Sequence, residues 1–151
     1  MNELQDLYRE VILDHNRSPR NFGELEDADR IIEGVNPLCG DKMTLYLKLD
    51  GDTVEDIRFT GTGCAISVAS SSLMTERVKG ETRTESLKLF DRIHDMLTAP
   101  EFDAESSNED LEKLAVLSGV REYPTRVKCA SLAWHALKNA LAGSGAKVTT
   151  E

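Results

Sequence analysis

The sequence predicts an α+β domain in which a small antiparallel three-stranded sheet has helices packed on one face. Two patterns support this prediction. Apolar residues alternate at Met43, Leu45, Leu47 and Leu49, as in a half-buried strand, whereas apolar residues recur at intervals of three and four beyond residue 65, as in amphipathic helices. Strands grouped before helices indicate segregated layers, because a parallel α/β sheet would interleave the two.

The first part of the chain supplies one helix and the strands. Residues 3–15 carry a single apolar stripe, which predicts a helix that is broken by the Pro and Gly of "NRSPRNFG". The segment "RIIEGVN", residues 30–36, is a predicted strand. Residues 42–63 form a predicted hairpin, since "MTLYLKL" alternates and Asp50-Gly51 is a favoured two-residue turn.

The remaining elements are helical. The apolar spacing predicts one helix from about residue 66 to a stop near Gly80, and a second over about residues 84–97. An acidic connector, "TAPEFDAESSNED", precedes a short predicted helix in "NEDLEKLAVL" that stops at Gly119.

The last predicted helix spans "TRVKCASLAWHALKNALAG", with Thr125 as its N-cap and Gly143 just beyond its end. Residues 1–142 therefore form one predicted domain. Residues 143–151, "GSGAKVTTE", form a predicted flexible C-terminal tail.

Composition excludes several classes of function. The formal net charge of −9 argues against binding to nucleic acid or to anionic membranes, because both require a basic surface. No run approaches the roughly 18 apolar residues of a membrane-spanning helix. The first residues, "MNELQDLYRE", are amphipathic and acidic, unlike a signal peptide. We expect a cytoplasmic protein.

Three cysteines stand at predicted element boundaries. Cys39 lies in the turn before the hairpin, Cys64 lies where a strand gives way to a helix, and Cys129 lies about one turn into the last helix. They are 25 and 65 residues apart, too far for a compact zinc ribbon, and their odd number does not suit a disulfide framework. Helix starts favour the thiolate form of cysteine, which binds metals.

A shared metal site is one interpretation of these positions. If the boundaries converge, the three thiolates and the carboxylate of Asp41 would form a four-ligand tetrahedral site, which suits zinc. The alternative is that the cysteines are separate, buried, small apolar residues and that Asp41 only forms a turn. His15, His94 and His135 lie in or at the end of predicted helices and are not expected to be ligands, and Trp134 is a predicted core residue.

Four segments resemble the SufU-type members of the IscU/NifU-like family of iron–sulfur cluster assembly proteins. They are "LYREVILDHNRSPRNFG", "NPLCGD", "FTGTGCAIS" and "RVKCASLAW", and the resemblance extends from about residue 4 to about residue 142. It implies an IscU/SufU-like fold in which the cysteines and the aspartate of the first motif bind one metal ion. The implied ligands are Cys39, Asp41, Cys64 and Cys129.

Two departures within the resemblance concern the branch of the family. Scaffold-type members have a histidine directly before the third cysteine, where this chain has Lys128, and the zinc-binding members have a longer segment between the second and third cysteines, as here. The resemblance therefore implies a zinc-dependent sulfur carrier of the sulfurtransferase type. Such a protein takes persulfide sulfur from a SufS-like, pyridoxal-phosphate-dependent cysteine desulfurase and passes it to a downstream Suf assembly scaffold.

Two other functions remain open from the sequence. The same four ligands could hold a [2Fe–2S] cluster, which would make the chain itself a scaffold for iron–sulfur cluster assembly. Alternatively, a purely structural zinc site could support an interaction module without sulfur transfer.

Cys39 and Arg126 are the predicted catalytic residues. Sulfur acceptance requires one cysteine to be released from the metal, and Cys39 lies beside Gly40 in a turn that moves more readily than a helix. The resemblance also implies that the first-motif cysteine is the acceptor. Arg126 precedes Cys129 by three residues and could stabilise a thiolate or persulfide anion, or it could simply face solvent. Lys42 and Lys128 are further predicted positive charges beside the ligands.

Overall fold

A computed structural model of the chain describes residues 3–37, 39–99, 112–121, 123–143 and 148–149. Helices and one sheet make up these residues, so the α+β prediction is confirmed. The elements in chain order are α1 Glu3–Arg17, β1 Arg30–Asn36, β2 Asp41–Asp50, β3 Thr53–Thr62, α2 Ala65–Val78, α3 Arg83–Thr98, a 3₁₀ helix Glu112–Val120, α4 Pro124–Leu141 and β4 Val148–Thr149.

The sheet has four strands in the order β3-β2-β1-β4, one more than predicted. The first three strands are antiparallel, as expected, and β4 adds to β1 in parallel, with Gly34 opposite Val148 and Val35 opposite Thr149. The prediction was wrong on the strand number because two residues are too few to show an alternating pattern. Val148 is buried, although it falls in the segment predicted to be a flexible tail.

One face of the sheet is covered by helices, as predicted. α2 packs on β3, and α4 packs on β1 and β2. Side chains alternate between the two faces along each strand. On β2 the inner positions Met43, Leu45 and Leu47 are buried, whereas Lys42 projects to the open face and is exposed. Packing of α2 and α4 on this apolar face therefore positions the starts of these helices near the ends of the strands.

Serines make the contact between α2 and α4 close. The Ser70 hydroxyl donates to the carbonyl of Ala130 at 2.6 Å and accepts from Nε1 of Trp134 at 3.2 Å. Trp134 is 1% exposed, which confirms its prediction as a core residue. Small side chains let the two helices approach, and the hydrogen bonds satisfy the hydroxyl and the indole in the core.

α1 extends two residues beyond its predicted end and is tied to α2 through His15. That histidine is fully buried; its Nδ1 lies 2.7 Å from the Ser72 hydroxyl and its Nε2 lies 3.4 Å from Nζ of Lys113 in the 3₁₀ helix. Burial, together with the nearby charges of Arg20 and Lys113, lowers the pKa of His15. The residue is a structural link between three elements.

α4 begins earlier than predicted. Tyr123, not Thr125, is its N-cap, and no side-chain hydrogen bond caps the helix. Pro124 explains the difference, because proline lacks an N–H group and its fixed φ suits the first helical position. Residues 100–111, which hold most of the acidic connector and the first residues of the predicted short helix, lie outside the described residues.

Candidate metal centre

The turn between β1 and β2 presents two of the predicted ligands. Its N–H group at Cys39 donates to the carbonyl of Asn36 at 3.2 Å, and Gly40 adopts a φ of +70°, which glycine allows without strain. The Cys39 side chain is exposed, whereas Asp41, the first residue of β2, is 1% exposed. The turn therefore separates an accessible sulfur from a buried carboxylate by one residue.

Cys64 is held at the start of α2. It is the N-cap residue, in an extended conformation, and its sulfur accepts from the N–H group of Ser67 at 3.4 Å. Its own N–H group donates to Oδ1 of Asp41 at 2.9 Å. Gly63 permits this approach, since a Cβ atom there would lie 2.4 Å from the same oxygen. The start of α2 thus orients both Cys64 and Asp41.

Cys129 lies in the second turn of α4 and is 1% exposed. Its sulfur is 3.3 Å from the sulfur of Cys39 and 3.3 Å from Nδ2 of Asn36. Burial, followed by hydrogen bonds with Cys39, Asp41 and Cys64, raises the pKa of the Cys129 thiol. Burial of Cys129 therefore disfavours its thiolate form relative to that of an exposed cysteine.

Three of the four predicted ligands form a compact group of donor atoms, and the sulfur of Cys64 lies beside the carboxylate of that group. The donor atoms of Cys39, Asp41 and Cys129 are all within 4.8 Å of one another, and the sulfur of Cys64 is 4.0 Å from Oδ2 of Asp41. Tetrahedral zinc ligands at about 2.0–2.3 Å from the ion are about 3.5–3.8 Å apart. Two sulfurs and one carboxylate oxygen are grouped closely enough to bind a zinc ion, and the addition of Cys64 as the fourth ligand stays a prediction.

The three predicted positive residues, Arg126, Lys128 and Lys42, differ in their position relative to the site. Arg126 is exposed at the wall of the site, where its guanidinium lies 5.8 Å from the centre of the Tyr123 ring. Lys128 is half-buried, and Lys42 projects to the opposite face of the sheet from Asp41. Alternation along β2 excludes Lys42 from the site, so adjacency in sequence did not predict its position.

A cleft of about 820 Å³ leads to the cysteines. The α1 and 3₁₀ helices supply its apolar walls. Cys39, Cys64 and Cys129 all line it, together with Arg9 and Arg126. The remaining lining residues are Tyr8, Ile12, Leu13, Ala65, Ile66, Val116, Gly119, Val120 and Thr125. A group brought by another molecule can therefore reach the exposed sulfur of Cys39 through a mostly apolar opening.

Asn36 is a site residue that the sequence-based predictions missed. Its Nδ2 lies 3.2 Å from Oδ2 of Asp41 as well as 3.3 Å from the sulfur of Cys129. A signal was present in the sequence, because Asn36 follows Ile32 and Gly34 at the inward-facing positions of β1. A polar residue at a core position of a strand needs a hydrogen-bond partner there.

The fold and this site define a small α+β domain in which cysteines from a turn, a helix N-cap and the second turn of a helix lie near a buried aspartate. The chain belongs to the NifU-like N-terminal domain family, whose sequence profile it matches over residues 7–130. Within the described part of the chain, none of the helices has the length and apolar character needed to cross a membrane.

Two curated relatives are similar along nearly the whole chain. The zinc-dependent sulfurtransferase SufU of Bacillus subtilis (strain 168) is 44% identical over 139 residues, which cover 92% of this chain and 92% of that protein. The iron–sulfur cluster assembly scaffold protein IscU of Streptococcus pyogenes serotype M1 is 40% identical over 141 residues, covering 93% and 86%. The resemblance seen in the motifs is confirmed.

Solved structures share the fold. The crystal structure of FiSufU from Fervidobacterium islandicum AW-1 superposes with a TM-score of 0.77 at 38% identity, covering 87% of this chain and 94% of that one. A NifU-like protein from Brucella abortus gives a TM-score of 0.78 at 27% identity, covering 93% and 96%.

Proposed function

We propose that this chain is a zinc-dependent sulfurtransferase that accepts persulfide sulfur from a cysteine desulfurase for iron–sulfur cluster assembly. Cys39, Asp41, Cys64 and Cys129 are the proposed zinc ligands, and Cys39 is the proposed acceptor. The observation that carries the proposal is the placement of an exposed sulfur at a cleft, 3.3 Å from a buried one. The name of the Bacillus relative supports the same activity.

Zinc bound here would hold the thiolates deprotonated and offset their negative charge. The chain's own residues provide the arrangement around it. Burial raises the pKa of the Cys129 thiol, so a neighbouring cation would be needed to favour its thiolate form. Asp41 supplies a hard oxygen donor, and the N–H group of Cys64 fixes its carboxylate from one side at 2.9 Å.

Cys39 performs the proposed transfer. Its thiolate attacks the terminal sulfur of the persulfide on the desulfurase cysteine, and a new S–S bond forms on Cys39 as the old one breaks. The desulfurase cysteine leaves as a thiolate, so the exchange is redox-neutral. Exposure and the Gly40 turn let Cys39 reach an incoming sulfur, whereas Cys129 is enclosed in α4.

The cleft is the proposed route for the partner's persulfide. Its apolar walls would exclude water from the reacting sulfurs, and Arg126 at the rim would stabilise the anionic persulfide product. The proposed donor is a SufS-like enzyme dependent on pyridoxal phosphate, and the proposed recipient is a downstream Suf assembly scaffold. We place this exchange in the cytoplasm, where reduced thiols are maintained.

A [2Fe–2S] scaffold is the second candidate, because the same four donors also suit a cluster. The Streptococcus relative, which is named a scaffold protein, favours it. Lys128 counts against it, since the scaffold-type resemblance calls for a histidine at this position.

One experiment separates the two functions. The protein is purified without oxygen, its metal content is measured, and it is then added to a cysteine desulfurase while alanine release is followed. We expect one zinc per chain and a several-fold faster release of alanine, which Cys39→Ser abolishes. A coloured iron–sulfur cluster in place of zinc supports the scaffold, and bound zinc without any stimulation of the desulfurase contradicts sulfur transfer.

A further inference from the structure

Two of the proposed ligands share one hydrogen-bond donor. Nδ2 of Asn36 lies 3.2 Å from Oδ2 of Asp41 and 3.3 Å from the sulfur of Cys129, and Asn36 is fully buried. A primary amide nitrogen carries two hydrogens, so it has one for each acceptor. The amide therefore links a carboxylate on β2 to a sulfur on α4.

The packing of α4 on β1 explains why the amide lies there. Gly34 precedes Asn36 on the same face of β1, and a Cβ atom on it would lie 3.2 Å from Cδ1 of Leu132. The absence of a side chain at Gly34 lets α4 approach the strand. Cys129, three residues before Leu132, is thereby brought to the end of β1, where Asn36 pairs with Asp41.

We propose that Asn36 is a positioning residue of the metal centre. Its amide keeps Cys129 and Oδ2 of Asp41 as retained ligands, which leaves Cys39 as the sulfur that reacts. This inference rests on the proposed function and adds to it the device that selects the reactive sulfur. The other oxygen, Oδ1, accepts from the N–H group of Cys64, so the carboxylate is held from two sides.

The hydrogen bonds to the sulfurs show the same selection. Cys64 accepts from the N–H group of Ser67, and Cys129 accepts from Asn36. Within the residues that the structure describes, the hydrogen-bond partner of the Cys39 sulfur is the sulfur of Cys129, not an N–H group. An N–H donor draws electron density from a thiolate and makes it a weaker nucleophile, so the two sulfurs with N–H donors are the ones suited to stay in place.

The test removes the amide while keeping its shape. Asn36→Leu is compared with the unaltered protein for zinc affinity, using a competing chromophoric chelator, and for the absorption spectrum with Co²⁺ in place of zinc. We expect zinc affinity to fall 10- to 100-fold, as is typical when an outer hydrogen-bond partner of a ligand is lost. We also expect the sulfur-to-cobalt charge-transfer bands to shift, because the Cys129 sulfur loses its N–H donor.

Ser70→Ala is the matched control. Ser70 is fully buried, and in the described structure its hydroxyl is hydrogen-bonded to Ala130 and Trp134 and to none of the cysteines. This variant loses buried hydrogen bonds beside α4 and should keep both the zinc affinity and the cobalt spectrum. An unchanged affinity and spectrum in Asn36→Leu, or an equal loss in Ser70→Ala, overturns the role of Asn36. Failure of the unaltered protein to bind zinc overturns the proposed function instead.

A measurement on the unaltered protein covers the case in which Asn36→Leu does not fold. The protein is labelled with ¹⁵N-asparagine and loaded with ¹¹³Cd, and the side-chain amide signals are recorded before and after loading. We expect the Asn36 amide protons to shift and one of them to couple to the cadmium through the Cys129 sulfur. Amide signals that are the same with and without metal contradict the proposal.

Discussion

Cys39 and Cys129 carry the same thiol group but differ in solvent exposure and in the backbone that holds them. Cys39 is exposed in the turn between β1 and β2, beside Gly40, whose φ is +70°. Cys129 is a residue of α4 that is 1% exposed, and its sulfur accepts a hydrogen bond from the amide of Asn36. The sulfurs are only 3.3 Å apart. Because the donor type is the same at both positions, we propose that the surrounding backbone determines which sulfur is retained and which one reacts.

The largest expected effect comes from replacing Cys129 or Cys39 by serine, one at a time. Cys129→Ser should lower zinc affinity by more than about 100-fold, because the loss of a ligand exceeds the loss of an outer hydrogen-bond partner. Cys39→Ser should keep more zinc but accept no persulfide sulfur. Zinc content by metal analysis and thermal unfolding with and without a chelator measure the difference, since bound zinc stabilises the folded state.

The reverse result would break the comparison. If Cys39→Ser loses its zinc and Cys129→Ser keeps it, the exposed sulfur is the anchor. Equal losses in both variants would remove the proposed difference between the turn and the helix.

An intermediate effect is expected from a single methyl group at Gly63. In Gly63→Ala the new Cβ would lie 2.4 Å from Oδ1 of Asp41, so the carboxylate must move away from the N–H group of Cys64. We expect roughly a tenfold loss of zinc affinity, measured by chelator competition.

Gly40→Ala is the matched control for this substitution. Apart from Gly40 and its two chain neighbours, no heavy atom of the described residues lies within 4 Å of the position that the new Cβ would take. The positive φ is the source of strain, at a cost of about 1 kcal/mol. It should lower the free energy of unfolding and change zinc affinity less than Gly63→Ala does. A larger loss of zinc in Gly40→Ala would shift the important contact from the carboxylate to the turn.

The smallest expected effect concerns pH and lies away from the sulfurs. Burial lowers the pKa of His15 below its ordinary 6.5. As pH falls, His15 is therefore protonated in the unfolded chain before it is protonated in the folded chain. The free energy of unfolding should therefore decline below about pH 6.5 and be at its full value above it. His15→Asn, unfolded with urea at several pH values in the presence of a chelator, should show a shallower decline. An unchanged decline would assign it to other groups, such as His135, whose pKa burial also lowers.

Much of this arrangement is encoded locally. The bounds of β1 match the predicted residues 30–36, and the burial of its side chains alternates from Ile32 to Asn36, directly before Pro37. The boundary positions of the cysteines already indicated that their sulfurs could meet. Local pattern also sufficed for α3, whose cap Thr82 lies one residue before its start.

Other features depend on tertiary contacts and could not be predicted. β4 is two residues long and exists through its pairing with β1. Lys42 is beside Asp41 in sequence yet on the opposite face of the sheet. The role of Asn36 requires knowing that Gly34 lets α4 come close, which brings Cys129 within reach of the amide.

The central claim is tested most directly by locating the transferred sulfur. The zinc-loaded protein is incubated with a cysteine desulfurase and cysteine, its thiols and persulfides are trapped by alkylation, and peptides containing each cysteine are identified by mass spectrometry. We expect a trapped persulfide on Cys39, and alkylated thiols without added sulfur on Cys64 and Cys129. A persulfide on Cys129, with Cys39 left unmodified, would contradict the claim.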